Sequence, residues 1–159
     1  MSRTTCLHVL AVGALISLTS CGRASSPTGP SPARSFLEGT WTGTVTIDRD
    51  GQQSSGPVTW TFAVVDGTDL RTFRVTISSQ HSWLPITTTV TSAIEPSNQP
   101  PARISTQGDY ASPRGCTGSL LSVGTADANS ISTDLTGVDC LSPSGPSTFG
   151  GRFSLTKTR

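Results

Sequence analysis

The feature that most constrains the fold is an alternation of apolar and polar residues with a period of two, which runs from Phe36 onward. In the stretch GTWTGTVTID, Trp41, Val45 and Ile47 alternate with threonines. Because successive side chains of a β-strand point to opposite faces, this spacing predicts a strand with one packed face and one solvated face. Helical spacing with capping residues is missing from the sequence, so the chain is predicted to be all-β.

Eight segments carry this pattern, with turn residues about every eight to twelve positions. They cover residues 39–48, 57–66, 71–79, 84–94, 102–107, 116–125, 130–140 and 148–158. The aligned residues on their packed faces are Val58, Trp60, Phe62 and Val64, then Phe73, Val75 and Ile77, then Ile86, Val90 and Ile94, and finally Phe149, Gly151, Phe153 and Leu155. Short strands at this spacing are typical of a sandwich or a barrel. We predict one domain over residues 36–159, a single antiparallel up-and-down β-barrel of about eight strands.

Residues 1–20 have the layout of a secretory signal peptide, with Arg3 ahead of the apolar run LHVLAVGALISL. A helix over that run, from Leu7 to Leu18, would measure about 18 Å at ~1.5 Å per residue, which is too short for a hydrocarbon core of about 30 Å. The segment is therefore predicted to be a leader that is removed.

The leader ends in Leu18, Thr19, Ser20 and Cys21. This tetrapeptide, placed directly after an apolar run, resembles the lipobox of bacterial lipoproteins. The resemblance implies that the Cys21 thiol is diacylglyceryl-modified, that cleavage occurs before Cys21, and that membrane lipid is a partner of the mature chain. Gly22, in place of Asp, implies sorting to the outer membrane of the cell envelope. The alternative is an ordinary leader cleavage site with a cysteine nearby by chance.

Residues 22–35, GRASSPTGPSPARS, have no apolar residue larger than alanine. Such a composition cannot bury enough surface to offset the entropy of ordering. Fourteen residues would span about 20 Å as a random coil and about 43 Å as extended polyproline. Residues 21–35 are therefore predicted to be a lipidated cysteine followed by a flexible linker.

Gly39, Thr40 and Trp41 open the first predicted strand. They resemble the G-x-W motif of lipocalins and the GTW with which avidin-like barrels begin. The lipocalin resemblance implies that Trp41 packs at a closed barrel end beneath an arginine of the last strand, either Arg152 or Arg159. The sequence Gly108-Asp109-Tyr110 resembles the lipocalin T-D-Y signature, with Gly in place of Thr. The chain also resembles small bacterial lipoproteins with a GTW opening and a late cysteine pair.

The four cysteines divide by position. Cys6 leaves with the leader and Cys21 is predicted to be lipidated, so Cys116 and Cys140 remain. In an oxidising envelope this pair predicts a disulfide, which would contribute about 3.5 kcal/mol by closing a loop of about 25 residues. A metal site is the alternative, but it needs more ligands than two thiols, and His81 is the only histidine after the leader. We expect no metal and no cofactor.

The large aromatic residues are candidates for binding a small apolar molecule. Trp41, Trp60, Phe62 and Phe73 share the predicted inward face, where they either line a ligand cavity or fill the core. Trp83 lies beside a proline in a predicted loop and is a candidate for an exposed contact at the barrel mouth.

The sequence contains only incomplete versions of known catalytic and metal-binding motifs. A triad would have to use His81, which lacks a G-x-S-x-G partner motif and is expected to be a solvated or partly packed turn residue. The segment 48–52, DRDGQ, resembles the start of a calcium loop but lacks the later oxygen ligands, so a hairpin turn is expected there. No paired carboxylates stand out by spacing. We predict that the protein is not an enzyme and has no catalytic residue.

Charge excludes one class of partner. The chain has eleven basic and ten acidic side chains, and removal of the leader with Arg3 leaves ten of each, scattered along the sequence. A neutral chain lacks the electrostatic footprint of a nucleic-acid-binding protein. We therefore predict a lipid-anchored, non-catalytic envelope module that binds a small apolar molecule or lipid. The alternative is a structural or protein-interaction module of the envelope without a ligand cavity.

Overall fold

The computed structural model of the chain describes residues 35–65, 70–142 and 145–158. The predicted leader, residues 1–20, and the predicted lipidation site, Cys21, lie outside these residues, and of the predicted linker only Ser35 is described. Arg159 also lies outside them.

Eight antiparallel strands form one closed barrel in which each strand pairs with its sequence neighbours and the last pairs with the first. The strands are β1 Gly39–Arg49, β2 Gln52–Val64, β3 Thr72–Ser79, β4 Thr87–Glu95, β5 Ala102–Ala111, β6 Thr117–Ala126, β7 Ser130–Ser142 and β8 Gly145–Lys157. This is the predicted all-β, up-and-down barrel. Closure removes the unpaired edges that an open sheet of this length would leave to other chains.

The period of two correctly predicts which residues face inward. Trp41, Val45 and Ile47 of β1 are buried, and so are the apolar residues aligned on β2, β3, β4 and β8, except that Val64 is half-buried. Their sequence neighbours on the outer face are mostly threonine and serine. Burial of one face of every strand therefore fixes the register, because a slip of one residue would expose the apolar side chains.

The turn between β1 and β2 is shorter than predicted. We expected a hairpin turn in residues 48–52 and the second strand to begin at residue 57, but β2 begins at Gln52 and only Asp50 and Gly51 connect the two strands. Both turn residues have positive φ, 53° and 75°, as a tight two-residue hairpin requires. The hairpin turn is where we expected it, but the predicted start of the second strand was wrong, because residues 52–56 contain no apolar side chain and so give no alternating signal.

The barrel has two ends, which we name by the elements there. The entry end is the end at which β1 begins, with Ser35 and the connection between β4 and β5. The hairpin end carries the turn at Asp50 and the connections between β3 and β4 and between β5 and β6. Ten steps of about 3.4 Å at a strand tilt of about 40° separate these ends by about 26 Å.

Candidate functional site

The four aromatic residues predicted to line a cavity or a core are all fully or almost fully buried. Trp60 contacts Phe153 with ring centroids 4.8 Å apart and Phe62 at 5.8 Å. Phe62 also contacts Trp41 at 6.4 Å and Phe73 at 5.9 Å. Three of these four pairs are edge-on, which is a favoured packing geometry for aromatic rings. These side chains therefore fill the barrel interior with one another.

The entry end is closed by the segment that leads into β1. Leu37 is completely buried, and its carbonyl oxygen accepts a 2.8 Å hydrogen bond from Trp41 Nε1. Ser35 Oγ donates to Asn98 Oδ1 at 2.6 Å, which ties the segment to the connection between β4 and β5. The incoming chain thus forms part of the barrel wall and covers the ring of Trp41.

Among the described residues, the cation over Trp41 is a lysine. Lys157, the only lysine in the sequence, places Nζ 5.3 Å from the centroid of the Trp41 ring and donates to the carbonyl oxygen of Phe36. Arg152 faces outward, where its guanidinium pairs with Asp134 at 3.0 Å. Of the two predicted arginines, Arg152 does not cover Trp41, because position 152 faces outward on β8, whereas Lys157, the last residue of β8, pairs with Trp41. Arg159 lies outside the described residues.

The hairpin end is covered by the connection between β3 and β4. His81 and Leu84 form a β-bridge there and are each 1% exposed. We expected His81 to be a solvated or partly packed turn residue, but it is fully buried. The backbone N–H of Trp83 donates to His81 Nδ1 at 3.0 Å, and the two rings lie 5.7 Å apart. Trp83 is half-buried against the core instead of projecting from a mouth, because its neighbours Leu84 and Ile86 anchor the loop inward.

The interior also holds pairs of hydroxyl groups that the sequence pattern does not reveal. Thr106 Oγ1 donates to Ser92 Oγ at 2.8 Å, and Ser122 Oγ donates to Thr133 Oγ1 at 2.6 Å. All four residues are at most 1% exposed. Buried hydroxyls are tolerated when they are paired in this way.

The predicted disulfide between Cys116 and Cys140 is present, with Cα atoms 6.3 Å apart. Beside it lies the carboxylate of Asp139, which is 2% exposed. Asp139 accepts hydrogen bonds from the Cys140 backbone N–H at 2.6 Å and from the Tyr110 hydroxyl at 3.0 Å. Burial and the hydrogen bond to Asp139 raise the pKa of Tyr110. Sequence analysis singled out Tyr110 and the cysteines but not Asp139.

A wide concave surface lies on the outside of the barrel. This outer groove has a volume of about 940 Å³, crosses the outward faces of β4 to β8, and is bounded by the β1–β2 hairpin. Leu121 and Val138 line it and are 42% and 37% exposed, the exposed large apolar residues of the described chain. They are diagonal neighbours, since Leu121 pairs with Thr136 and Val138 pairs with Ser119.

The charged residues that line the outer groove are mostly acidic. Asp48, Asp50 and Asp109 contribute carboxylates, whereas Arg49 contributes a cation that pairs with Asp50 at 3.6 Å. Threonine, serine and glycine residues make up most of the remaining lining. The groove therefore combines an exposed apolar centre with a predominantly negative rim. Nothing in the alternating sequence pattern distinguishes it.

Comparison of the chain with models of protein families, with curated proteins and with solved structures finds no match in any of the three. Within the residues that the structure describes, no helix is long and apolar enough to cross a membrane.

Proposed function

We propose that the protein is a lipid-anchored, non-catalytic module of the bacterial cell envelope that binds a partner protein through its outer groove. The observation that carries this proposal is the contrast between the two candidate surfaces. The predicted ligand-lining aromatics contact one another, while the groove is open and exposes Leu121 and Val138. Exposed apolar residues grouped in a concavity mark interaction sites on soluble domains.

The lipobox-like sequence before Cys21 supports anchoring to the outer membrane. More than one acyl chain is needed for stable attachment, and the modification of Cys21 implied by the resemblance supplies both the thiol-linked and the amine-linked chains. Residues 22–35 then give the tether a reach of about 20 to 43 Å. A Cys21→Ser variant should lose partitioning into the detergent phase, and unchanged partitioning would remove this part of the proposal.

The position of the groove suits a tethered module. The chain enters the barrel at the entry end, whereas Asp48 and Asp50 lie at the hairpin end, about 26 Å away along the barrel. A partner that approaches the hairpin end therefore meets the groove before it meets the tether.

The chemistry of the groove defines the partner. Three carboxylates and one guanidinium line it, so a segment with basic side chains is attracted, and an apolar side chain of that segment can cover Leu121 and Val138. We therefore propose a basic segment of another envelope protein, with at least one large apolar residue, as the occupant.

Site-specific photo-crosslinking in intact cells tests the proposal. A photoreactive residue at position 121 should crosslink one partner protein, and the product should weaken when Asp50 and Asp109 are replaced by Asn. Thr125 is a matched control, because it is exposed on the same outer face of β6 but does not line the groove. Equal crosslinking from positions 121 and 125, or a product insensitive to the Asn substitutions, would contradict docking in the groove.

The alternative function is the interior binding of a small apolar molecule predicted from the aromatic residues. It requires the rings of Trp60, Phe62 and Phe153 to separate, because they are in contact in the closed barrel. Titration of the purified chain with an anilinonaphthalene sulfonate probe distinguishes the two. Saturable binding of one probe per chain, abolished by Trp60→Phe, would favour the interior; no saturable binding is expected for the groove proposal.

A further inference from the structure

A buried carboxylate faces the disulfide. Asp139 precedes Cys140 on β7, and its Oδ1 lies 3.8 Å from the sulfur of Cys116. No basic side chain of residues 35–65, 70–142 and 145–158 is recorded within ion-pair distance of it. A buried carboxylate without a counter-ion is costly unless hydrogen bonds compensate for its burial, and Asp139 has such bonds beside two sulfur atoms.

The carboxylate is held in place by two hydrogen bonds. The Cys140 N–H fixes Oδ1 at 2.6 Å, and the Tyr110 hydroxyl fixes Oδ2 at 3.0 Å. Tyr110 reaches Asp139 because residue 118 is glycine: a Cβ at that position would lie 2.4 Å from Tyr110 Cζ. Carboxylates that ligate metals are commonly oriented by such a second hydrogen bond to the oxygen that does not bind.

The three groups lie close enough together to ligate one metal ion once the bond between the two sulfur atoms is broken. One ligand atom from each of Cys116, Asp139 and Cys140 lies within 4.8 Å of the others. Tetrahedral zinc, with bonds of about 2.3 Å to sulfur and about 2.1 Å to oxygen, needs sulfur–oxygen separations of about 3.6 Å. The observed 3.8 Å between Cys116 Sγ and Asp139 Oδ1 is close to that value.

We propose that reduction of the disulfide by a dithiol turns this cluster into a binding site for a thiophilic divalent cation such as zinc. The dithiol supplies two electrons and two protons, becomes a disulfide itself, and leaves thiols at Cys116 and Cys140. The cation then displaces those two protons and binds both thiolates and Asp139 Oδ1, with water in the fourth position. Both cysteines are half-buried rather than fully enclosed.

Asp139 is a third ligand beside the two thiols, and the sequence analysis did not identify it. Two thiols alone do not make a zinc site, and His81 is on a different connection of the barrel. The proposal is independent of the outer groove and of any partner protein, because it depends only on Cys116, Cys140, Asp139 and the hydroxyl of Tyr110.

The test measures zinc binding to the full chain carrying Cys6→Ser and Cys21→Ser, so that the barrel pair supplies the only thiols. After reduction with an excess of dithiol and its removal under nitrogen, we expect one zinc ion per chain and release of about two protons per ion. Cobalt should give thiolate-to-metal charge-transfer absorption. The oxidised chain should bind neither ion at the same concentrations.

Asp139→Asn should weaken zinc binding by at least about tenfold, because the amide cannot replace a charged ligand, and Tyr110→Phe should weaken it by less. Asp134→Asn is the matched control, since Asp134 is on the same strand but exposed, and it should bind like the parent. Circular dichroism with zinc present verifies that each variant is folded. Zinc binding by the reduced chain no tighter than by Cys116→Ser/Cys140→Ser, an unaffected Asp139→Asn, or loss of β-sheet signal in the reduced, zinc-treated parent would each overturn the proposal.

Discussion

Replacement of either buried tryptophan by phenylalanine removes the same atoms from the core but has different consequences. Trp41 and Trp60 are direct partners across β1 and β2, and both are 0% exposed. Trp41 Nε1 donates to the Leu37 carbonyl, whereas Trp60 Nε1 has no hydrogen-bond partner among the described residues. Comparison of the two variants therefore measures how much the contact between Trp41 and the Leu37 segment contributes to the free energy of unfolding.

The difference can be worked from these contacts. Trp41→Phe leaves the Leu37 carbonyl without its donor, which costs about 1 to 3 kcal/mol, and it weakens the attraction of Lys157 for the ring by roughly 0.5 kcal/mol. Trp60→Phe loses no hydrogen bond. We therefore expect Trp41→Phe to lower the free energy of unfolding by about 2 kcal/mol more than Trp60→Phe does.

Urea unfolding of the full chain, followed by far-ultraviolet circular dichroism, measures this difference without relying on tryptophan fluorescence. With a slope of about 1 to 3 kcal/mol per molar urea, the midpoint of Trp41→Phe should lie about 1 M below that of Trp60→Phe. Equal midpoints, or a lower midpoint for Trp60→Phe, would refute the docking of Leu37 and Lys157 on Trp41.

Three further predictions concern the hairpin end. Gly118→Ala should lower the free energy of unfolding in urea by about 1 to 3 kcal/mol, because the new methyl group displaces the Tyr110 ring. The control Ser119→Ala, on the outward face, should be nearly neutral. Equal losses of stability in the two variants would contradict the contact between Gly118 and the Tyr110 ring. Replacing Cys116 and Cys140 together by Ser should cost about 3.5 kcal/mol through loop-closure entropy, and an unchanged midpoint would argue against the bridge. The raised pKa of Tyr110 means that the folded state keeps the phenol proton when the unfolded state loses it, so stability should be constant below pH 10 and fall by about 1.4 kcal/mol per pH unit above it. Because Tyr110 is the only tyrosine, tyrosinate absorbance reports the ionisation of Tyr110 directly. The stability of Tyr110→Phe should not fall with pH in this way. Tyrosinate that appears near pH 10 in the folded chain would show that Asp139 does not hold the hydroxyl.

Features that depend only on residues close together in the sequence were predicted correctly. The period of two placed Val58, Trp60 and Phe62 on the inner face, since the pleat alone determines which side each residue occupies. Regular spacing of strands and turns predicted an up-and-down barrel for the same reason, because antiparallel neighbours need only short connections.

Features were not predicted where polar residues occupy inward positions of a strand, or where a contact joins residues far apart in the sequence. Ser54 and Gly56 lie on β2 but give no apolar signal, so the first five residues of β2 were not predicted, although the hairpin turn at Asp50 was. Lys157 replaced the expected arginine because only the register of β8 decides which side chain reaches Trp41.

The candidate sites were the least predictable features. Tyr110 and Asp139 are 29 residues apart, and only the pairing of β5, β6 and β7 brings them together. The outer groove depends on outward residues such as Leu121 and Val138, whose identity is not constrained by the core. The alternation of apolar and polar residues predicts which side chains are buried, so it does not predict which part of the outer face is concave.

The most direct test of the central claim is an amide chemical-shift map of the ¹⁵N-labelled full chain titrated with an extended peptide of alternating lysine and leucine. We expect saturable shifts on the outer groove, at Asp109, Leu121 and Val138, and no binding of the matched glutamate–leucine peptide. Shifts confined to the core residues Trp60, Phe62 and Phe153, or equal binding of both peptides, would contradict binding through the outer groove.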